Sequence, residues 1–158
     1  MTIDVRSAAT KPWIPTDEHA RLGRWVGSWE GTAKTWADPD PGVPASSAPW
    51  AGRIDAVLGG RFIRFEYRTS FGDAPIAGEM IVGFERDENL WTVAWIDSFH
   101  TGSAILVSHG VPRIVEVSVF GEYYVKGVPQ RWGWRTEIDD SAGLVIRMFN
   151  VSPDRKED

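Results

Sequence analysis

The sequence predicts an all-β protein, folded as a single antiparallel up-and-down β-barrel of about nine to ten strands with a short N-terminal helix closing one end. Strand-like segments follow one another at short spacing, and the breaks between them are rich in Gly, Asp, Asn and Pro. Because the open edges of a long meander invite aggregation, closure into a barrel is favoured over an open sheet. A barrel of this size is wide enough to hold one small ligand.

Composition and charge exclude several classes of function. The chain has 158 residues, enough for one domain with a proper core, and a net charge of −5 without any basic run, so nucleic acid is not an expected partner. No apolar run approaches the ~20 residues that span a bilayer, and the first residues lack the apolar stretch of a secretory signal. The absence of Cys excludes disulfides and thiolate chemistry. A cytoplasmic protein without membrane contact is therefore expected.

The N-terminal part of the chain predicts an extended arm and then a helix. Pro12 and Pro15 favour extended backbone, so residues 1–15 are expected to form an arm. Thr16 is a suitable N-cap, and the acidic residues that follow it suit the start of a helix, which is expected to end near Gly27. The barrel domain is expected over residues 16–152, followed by a polar tail at residues 153–158.

The remaining chain predicts nine strands and one long loop. Residues 37–50 contain four prolines and show no periodicity, which is typical of a loop. A loop of this length is either a lid or binding loop, or a mobile surface excursion. The predicted strands are residues 28–36, 51–58, 61–70, 77–86, 90–99, 103–109, 113–125, 130–138 and 143–151.

Nine Trp and seven Phe make the predicted interior strongly aromatic. Side chains alternate across a strand, so residues 90–99 place Trp91, Val93, Trp95, Asp97 and Phe99 on one face. The same reasoning points the apolar positions of the neighbouring strands inward. The predicted ligand-binding residues are Phe65, Tyr67, Met80, Phe84, Trp91, Trp95, Asp97, Trp132 and Trp134.

Asp97 is the polar residue on this apolar face, and a buried carboxylate must be hydrogen-bonded, paired or shifted in pKa. In the structural interpretation, Asp97 accepts backbone N–H groups from the turn at Thr101 and Gly102. In the functional interpretation, Asp97 contacts a ligand or, with His100, exchanges protons with a substrate. The three His residues have no paired spacing, so neither a metal site nor a cofactor is expected.

The chain resembles the bacterial domain-of-unknown-function 1579 family. The resemblance is carried by WVGSWEG (25–31), VLGGRFIRFEY (57–67), GEMIVGFERDENLWTVAWIDSFHTG (78–102) and VFGEYY (119–124). It implies a calycin-like barrel, akin to lipocalins and haem-binding nitrobindins, but no settled activity. His100 and His109 depart from the usual pattern of the family. The Gly-x-Trp at Gly27 is similar to the opening of lipocalin-type barrels, which implies a cation–π contact between Arg147 and Trp29.

Three functional hypotheses follow. The first is binding of a small, largely hydrophobic molecule, aromatic or acyl, in the aromatic-lined cavity. The second is a cofactor-free enzyme of isomerase, cyclase or lyase type, with Asp97 and His100 as acid and base in the same cavity. The third is a structural or interaction barrel with a filled core, whose exposed Trp side chains would mark the face of a homodimer.

Overall fold

A computed structural model describes residues 14–36, 46–114 and 116–156 of the chain. These residues form one helix followed by one antiparallel sheet, in which the strand order equals the sequence order. The sheet curls into a half-barrel, which confirms the predicted all-β fold with its N-terminal helix. The elements are α1 (Asp17–Trp25), β1 (Gly27–Thr35), β2 (Ser46–Val57), β3 (Phe62–Phe71), β4 (Ala74–Glu85), β5 (Leu90–Asp97), β6 (Leu106–Gly110), β7 (Glu116–Tyr124), β8 (Arg131–Asp139) and β9 (Val145–Val151).

Several strand ends differ from the predicted ones, and two of these differences affect the predicted site. Strand β2 begins inside the predicted loop, and Pro49 lies within it, opposite Thr32 of β1. Strand β5 ends at Asp97, so Phe99 does not continue its inner face but lies in the following turn, 49% exposed and packed on Phe71. Residues 1–13 of the predicted arm (1–15) and residues 37–45 of the predicted loop (37–50) lie outside the described residues.

Helix α1 covers one end of the half-barrel. The backbone N–H of Thr16 donates to Nδ1 of His19, three residues later, in the manner of a capping box. The His19 ring packs edge-on against Phe84 at the end of β4. On the same face of the helix, Leu22 and Trp25 are buried in the core. The helix-side end of the interior is therefore closed by packed side chains.

Side chains join the two terminal strands near this end. Among the described residues, β1 and β9 are the edges of the sheet and do not pair with each other. Asp140, in the turn after β8, accepts hydrogen bonds from Arg21 Nη2 at 2.6 Å and from Trp25 Nε1 at 2.9 Å. Trp29 of β1 donates its indole N–H to the carbonyl oxygen of Trp25 at 2.8 Å. The end of α1 thus links β1 to the β8–β9 turn without a strand pairing.

The predicted contact between Arg147 and Trp29 is not present among the described residues. The Arg147 guanidinium instead lies 3.9 Å from the carboxylate of Asp139, which is on the neighbouring strand β8. Arg147 is directly opposite Glu137 in the sheet. Its exposed side chain therefore contacts the end of the adjacent strand β8 instead of Trp29 on β1.

The alternation that predicted the inner faces is confirmed. In β3, Ile63, Phe65 and Tyr67 are buried while Arg64 and Glu66 are exposed. The inner residues of β4, β5 and β7 follow the same two-residue period. Residues from strands on both sides of the curl therefore share one core.

Candidate functional site

The nine predicted ligand-binding residues form two groups. The first consists of Phe65, Met80, Phe84 and Trp91, which are buried in the core, with Phe84 against α1 and Met80 directly opposite Trp95 in the sheet. The rings of Phe84 and Trp91 are 5.0 Å apart and His19 packs on Phe84, so α1 covers this end of the interior. The second group lies toward the opposite end and consists of Tyr67, Trp95, Asp97, Trp132 and Trp134. We call this second group, together with His100, the aromatic site.

Asp97 is fixed by the turn that follows β5. Its Oδ1 accepts backbone N–H groups from Phe99 at 3.2 Å, His100 at 2.6 Å and Thr101 at 2.9 Å. The Thr101 hydroxyl accepts the N–H of Asp97 and donates to its carbonyl oxygen. The structural interpretation of Asp97 as an acceptor of N–H groups from this turn is confirmed for Thr101, whereas the other donors are Phe99 and His100 instead of Gly102. The turn also orients the second carboxylate oxygen toward the site.

The second carboxylate oxygen of Asp97 holds His100. Oδ2 lies 2.6 Å from Nδ1 of the imidazole, although strict alternation would place the two side chains on opposite faces. The turn reverses the chain after Asp97 and so brings both groups together. Burial acts to raise the pKa of Asp97, but the hydrogen bonds from His100 and Thr101 outweigh it and lower the pKa below its usual value. Asp97 is therefore a carboxylate at neutral pH.

Tyr67 and Trp95 extend this network into the core. The Tyr67 hydroxyl accepts the Trp95 indole N–H at 3.0 Å and lies 3.5 Å from Oδ2 of Asp97. Burial, together with the charge of Asp97, raises the pKa of Tyr67, so the phenol stays neutral. Gly78 lies opposite Tyr67 in the sheet, and a Cβ at this position would be 2.4 Å from the phenol ring. The glycine thus makes the space that the ring occupies.

Two indoles face each other across the curl and flank the imidazole. The ring centroids of Trp95 and Trp134 are 5.0 Å apart, and that of His100 is 5.5 Å from the first and 5.2 Å from the second. Trp134 and Trp132 lie on the same face of β8 and are half-buried. The indole nitrogens of both are shielded from solvent and have no hydrogen-bond partner among the described residues. The aromatic site therefore contains two unused donors.

Two features of the site were not predicted from the sequence. Trp50 stacks on Tyr67 with 6.3 Å between ring centroids, because β2 begins earlier than its pattern indicated. Tyr123 donates a 2.5 Å hydrogen bond to Asn150. Side-chain parity could have found this pair, since Tyr123 has the parity of the buried Val117 and Val119, and Asn150 has that of Ile146 and Met148, which pack against the core.

His109, the other His that departs from the family pattern, is not part of the aromatic site. It lies on an outward-facing position of β6, where its ring nitrogen is 3.1 Å from the hydroxyl of Thr92. His109 is therefore separated by the sheet from the interior and offers a control position for His100.

A groove of about 660 Å³ crosses β2 to β5 and shares Tyr67 and Asp97 with the predicted set. Most of its side chains come from outward-facing positions, and several are charged. Of these, Arg53 is bonded to Asp55 and Glu66 is paired with Arg64. This groove differs from the predicted apolar pocket and belongs to the solvated face of the sheet.

The described part of the chain contains neither a metal-binding cluster nor a membrane-spanning helix. No group of three or more His, Asp or Glu side chains is arranged to hold a metal ion there. The described helix is too short and too polar to cross a membrane.

These features define the class of the protein as a nine-stranded antiparallel half-barrel with an aromatic inner face and a hydrogen-bonded Asp–His pair at one end. The chain belongs to the family described as protein of unknown function (DUF1579), which matches residues 14–158. The match covers nearly the whole chain and confirms the resemblance seen in the sequence. Neither the curated proteins nor the solved structures include a match to this chain.

Proposed function

We propose that the half-barrel binds a small, largely apolar molecule, aromatic or acyl, that carries a hydrogen-bond acceptor, and that it does so at the aromatic site. The observation that supports this most directly is the pair of buried indole N–H groups of Trp132 and Trp134, which have no partner among the described residues. A buried donor without an acceptor costs about 1–3 kcal/mol. An acceptor on a bound molecule would offset that cost.

The rest of the site indicates which chemistry would bind. The rings of Trp95 and Trp134 pack on each other with 5.0 Å between centroids, so a ligand would lie against this ring cluster, which suits a flat or apolar molecule. The carboxylate of Asp97 is already engaged by the turn and by His100, so it offers little to a donor on the ligand. Apart from Nε2 of His100, the unbonded polar groups of the site are the indole N–H donors, which select an acceptor such as a carbonyl oxygen.

The position of the site in the fold supports the same proposal. At the helix-side end the interior is covered by α1, with Leu22 and Trp25 buried and His19 packed on Phe84. At the other end, the His100 side chain is about one-third exposed and gives access to the ring cluster. The proposal is therefore limited to the end of the half-barrel away from α1.

The experiment is a fluorescence titration with acetylnaphthalene and with ethylnaphthalene, which has nearly the same shape but no carbonyl group. Because one hydrogen bond contributes about 0.5–1.5 kcal/mol, we expect the ketone to bind about three- to tenfold more tightly than the hydrocarbon. Methyl heptyl ketone serves as the acyl-chain counterpart. If neither scaffold changes the tryptophan emission, the proposal is wrong.

Matched variants locate the site. Trp134→Phe and Trp132→Phe keep an aromatic ring but remove the N–H, so at least one of them should abolish the preference for the ketone while the hydrocarbon still binds. Trp36→Phe is the control, because Trp36 is 64% exposed and outside the site. A preference for the ketone that survives both site variants would show that these indoles are not the donors.

A further inference from the structure

We infer that the aromatic site is catalytic toward carbonyl compounds: His100 acts as a general base that removes a proton from the carbon next to a bound carbonyl group, while an indole N–H stabilises the enolate oxygen. This inference rests on the proposed function, since it needs a ketone bound at the site. It adds a class of reaction to the site, namely enolisation and the isomerisation that enolisation permits. These reactions require no cofactor.

The first argument is the orientation of the imidazole. Nδ1 of His100 is held by Asp97 at 2.6 Å, and Asp97 is itself held by three backbone N–H groups of one turn. With the proton on Nδ1, the lone pair of the neutral ring is on Nε2. Among the described residues, Nε2 has no hydrogen-bond partner, and the side chain is about one-third exposed. The fold thus presents a fixed imidazole with its basic nitrogen free to reach a ligand.

The second argument is the role of Asp97. Its lowered pKa keeps it ionised, so it stabilises the imidazolium formed by proton transfer without taking the proton itself. Asp97 does not face the ligand directly, because its oxygens are engaged by the turn and by His100. Asp97 is therefore a positioning residue, and His100 is the catalytic residue.

The third argument is the donor beside the base. The Trp134 ring is 5.2 Å from the His100 ring, and its buried N–H lacks an acceptor among the described residues. A preorganised donor in a shielded site stabilises an oxygen on which negative charge develops. Base and donor lie on the same side of the sheet, so a carbonyl group placed between them could contact both.

The chemical step balances without any other reagent. Nε2 of His100 takes a proton from the α-carbon, the C–H electron pair becomes the C=C bond, and the carbonyl π pair moves to the oxygen. The imidazolium then returns a proton to the same carbon, which restores the ketone, or to a conjugated carbon, which moves the double bond. Neither oxidant nor leaving group is involved.

The test is hydrogen–deuterium exchange at the acetyl group of acetylnaphthalene in deuterated buffer, followed by proton NMR. We expect the protein to accelerate loss of the methyl signal over buffer alone. His100→Gln should reduce the accelerated rate by about a hundredfold or more, which is the usual contribution of a general base. His109→Gln should leave the rate unchanged, because His109 lies on the outer face.

Two further measurements separate a catalytic from a structural role. Added imidazole should restore part of the exchange in His100→Ala, which a merely misfolded variant would not allow. In Asp97→Asn, the maximal exchange rate should fall while the dissociation constant of the ketone from the fluorescence titration changes little.

The outcomes distinguish the two proposals. Ketone binding without accelerated exchange by the unaltered protein overturns the catalytic inference and leaves the binding function intact. Exchange that persists in His100→Gln also overturns the inference. Absence of ketone binding overturns the binding function, and the catalytic inference with it.

Discussion

Replacing Asp97 with Asn should lower the free energy of unfolding by about 2–4 kcal/mol at neutral pH. The substitution keeps the shape of the side chain but removes its charge. Oδ1 can still accept the backbone N–H groups of Phe99, His100 and Thr101, whereas the new amide replaces the oxygen that holds the imidazole. The variant therefore tests the charge of this carboxylate more than its volume.

The magnitude follows from the contacts in the structure. Asp97 accepts four hydrogen bonds of 3.2 Å or less, three from backbone N–H groups and one from His100 Nδ1. A bond to a charged group is about 1 kcal/mol stronger than a neutral one, so four independent bonds would give about 4 kcal/mol. Because the four bonds share one carboxylate, their contributions are not additive. The expected loss is therefore about 2–4 kcal/mol, with the full sum as its upper end.

The direction of the pKa shift determines how the stabilisation by Asp97 changes with pH. The pKa of Asp97 in the folded state is lowered below its ordinary value of 3.8, so the unfolded chain binds the proton first as the pH falls. The stabilisation is fully present above this value and is lost as the pH falls through the lower folded-state pKa. The difference between the unaltered protein and Asp97→Asn should therefore be largest near pH 7 and shrink at pH values below about 3.8.

Urea unfolding followed by tryptophan fluorescence measures this difference at each pH. Asp139→Asn is a matched control, because Asp139 also accepts hydrogen bonds within a turn, from Ser141, but is more exposed. Its effect should stay below about 1 kcal/mol. Equal losses for the two variants, or a loss for Asp97→Asn that does not change with pH, would refute the reasoning.

Three other predictions concern buried polar groups. Tyr67→Phe leaves the Trp95 N–H without its acceptor and should destabilise the protein by about 1–3 kcal/mol in the same urea assay; an unchanged midpoint would contradict the assigned bond. Burial lowers the pKa of His19 below 6.5, so the unfolded chain is protonated first and stability should fall as the pH decreases below that value. His19→Gln should remove this part of the pH dependence of stability, measured by thermal melts. The helix cap should be retained, since Gln suits the third position of a capping box. A pH dependence that persists in the variant would contradict the role assigned to His19. Asp140→Asn weakens the ion pair between α1 and the β8–β9 turn and should cost about 2 kcal/mol in unfolding free energy, whereas a loss near zero would mean that the turn does not anchor the helix.

The two-residue alternation of apolar and polar side chains was enough to predict the sheet and its inner face. Ile63, Phe65 and Tyr67 alternate with charged residues, and this pattern fixes which side of β3 is buried whatever the rest of the chain does. The same rule could not predict that His100 joins Asp97. That contact depends on a turn in which one carboxylate oxygen accepts three N–H groups, and side-chain parity contains no information about turns.

How the inner side chains pack in the interior could not be predicted from the sequence, for a different reason. Trp95 and Trp134 belong to strands that are not neighbours in the sheet, and their ring contact depends on how strongly the sheet curls. Phe84 and Trp91 have the same predicted inward direction but are packed beneath α1. The same alternation thus leads to one end that is covered by α1 and another end with unused donors, and only the three-dimensional structure distinguishes them.

The indole N–H resonances of the nitrogen-15-labelled protein, titrated with acetylnaphthalene, measure the contact between ligand and donor directly. We expect the indole signals of Trp132, Trp134 or both to move downfield as the ketone binds, because each N–H gains an acceptor. The signals of Trp29 and Trp95, whose N–H groups are already bonded within the protein, should move much less. Saturation by the ketone with no shift at residues 132 and 134 would contradict the proposed site.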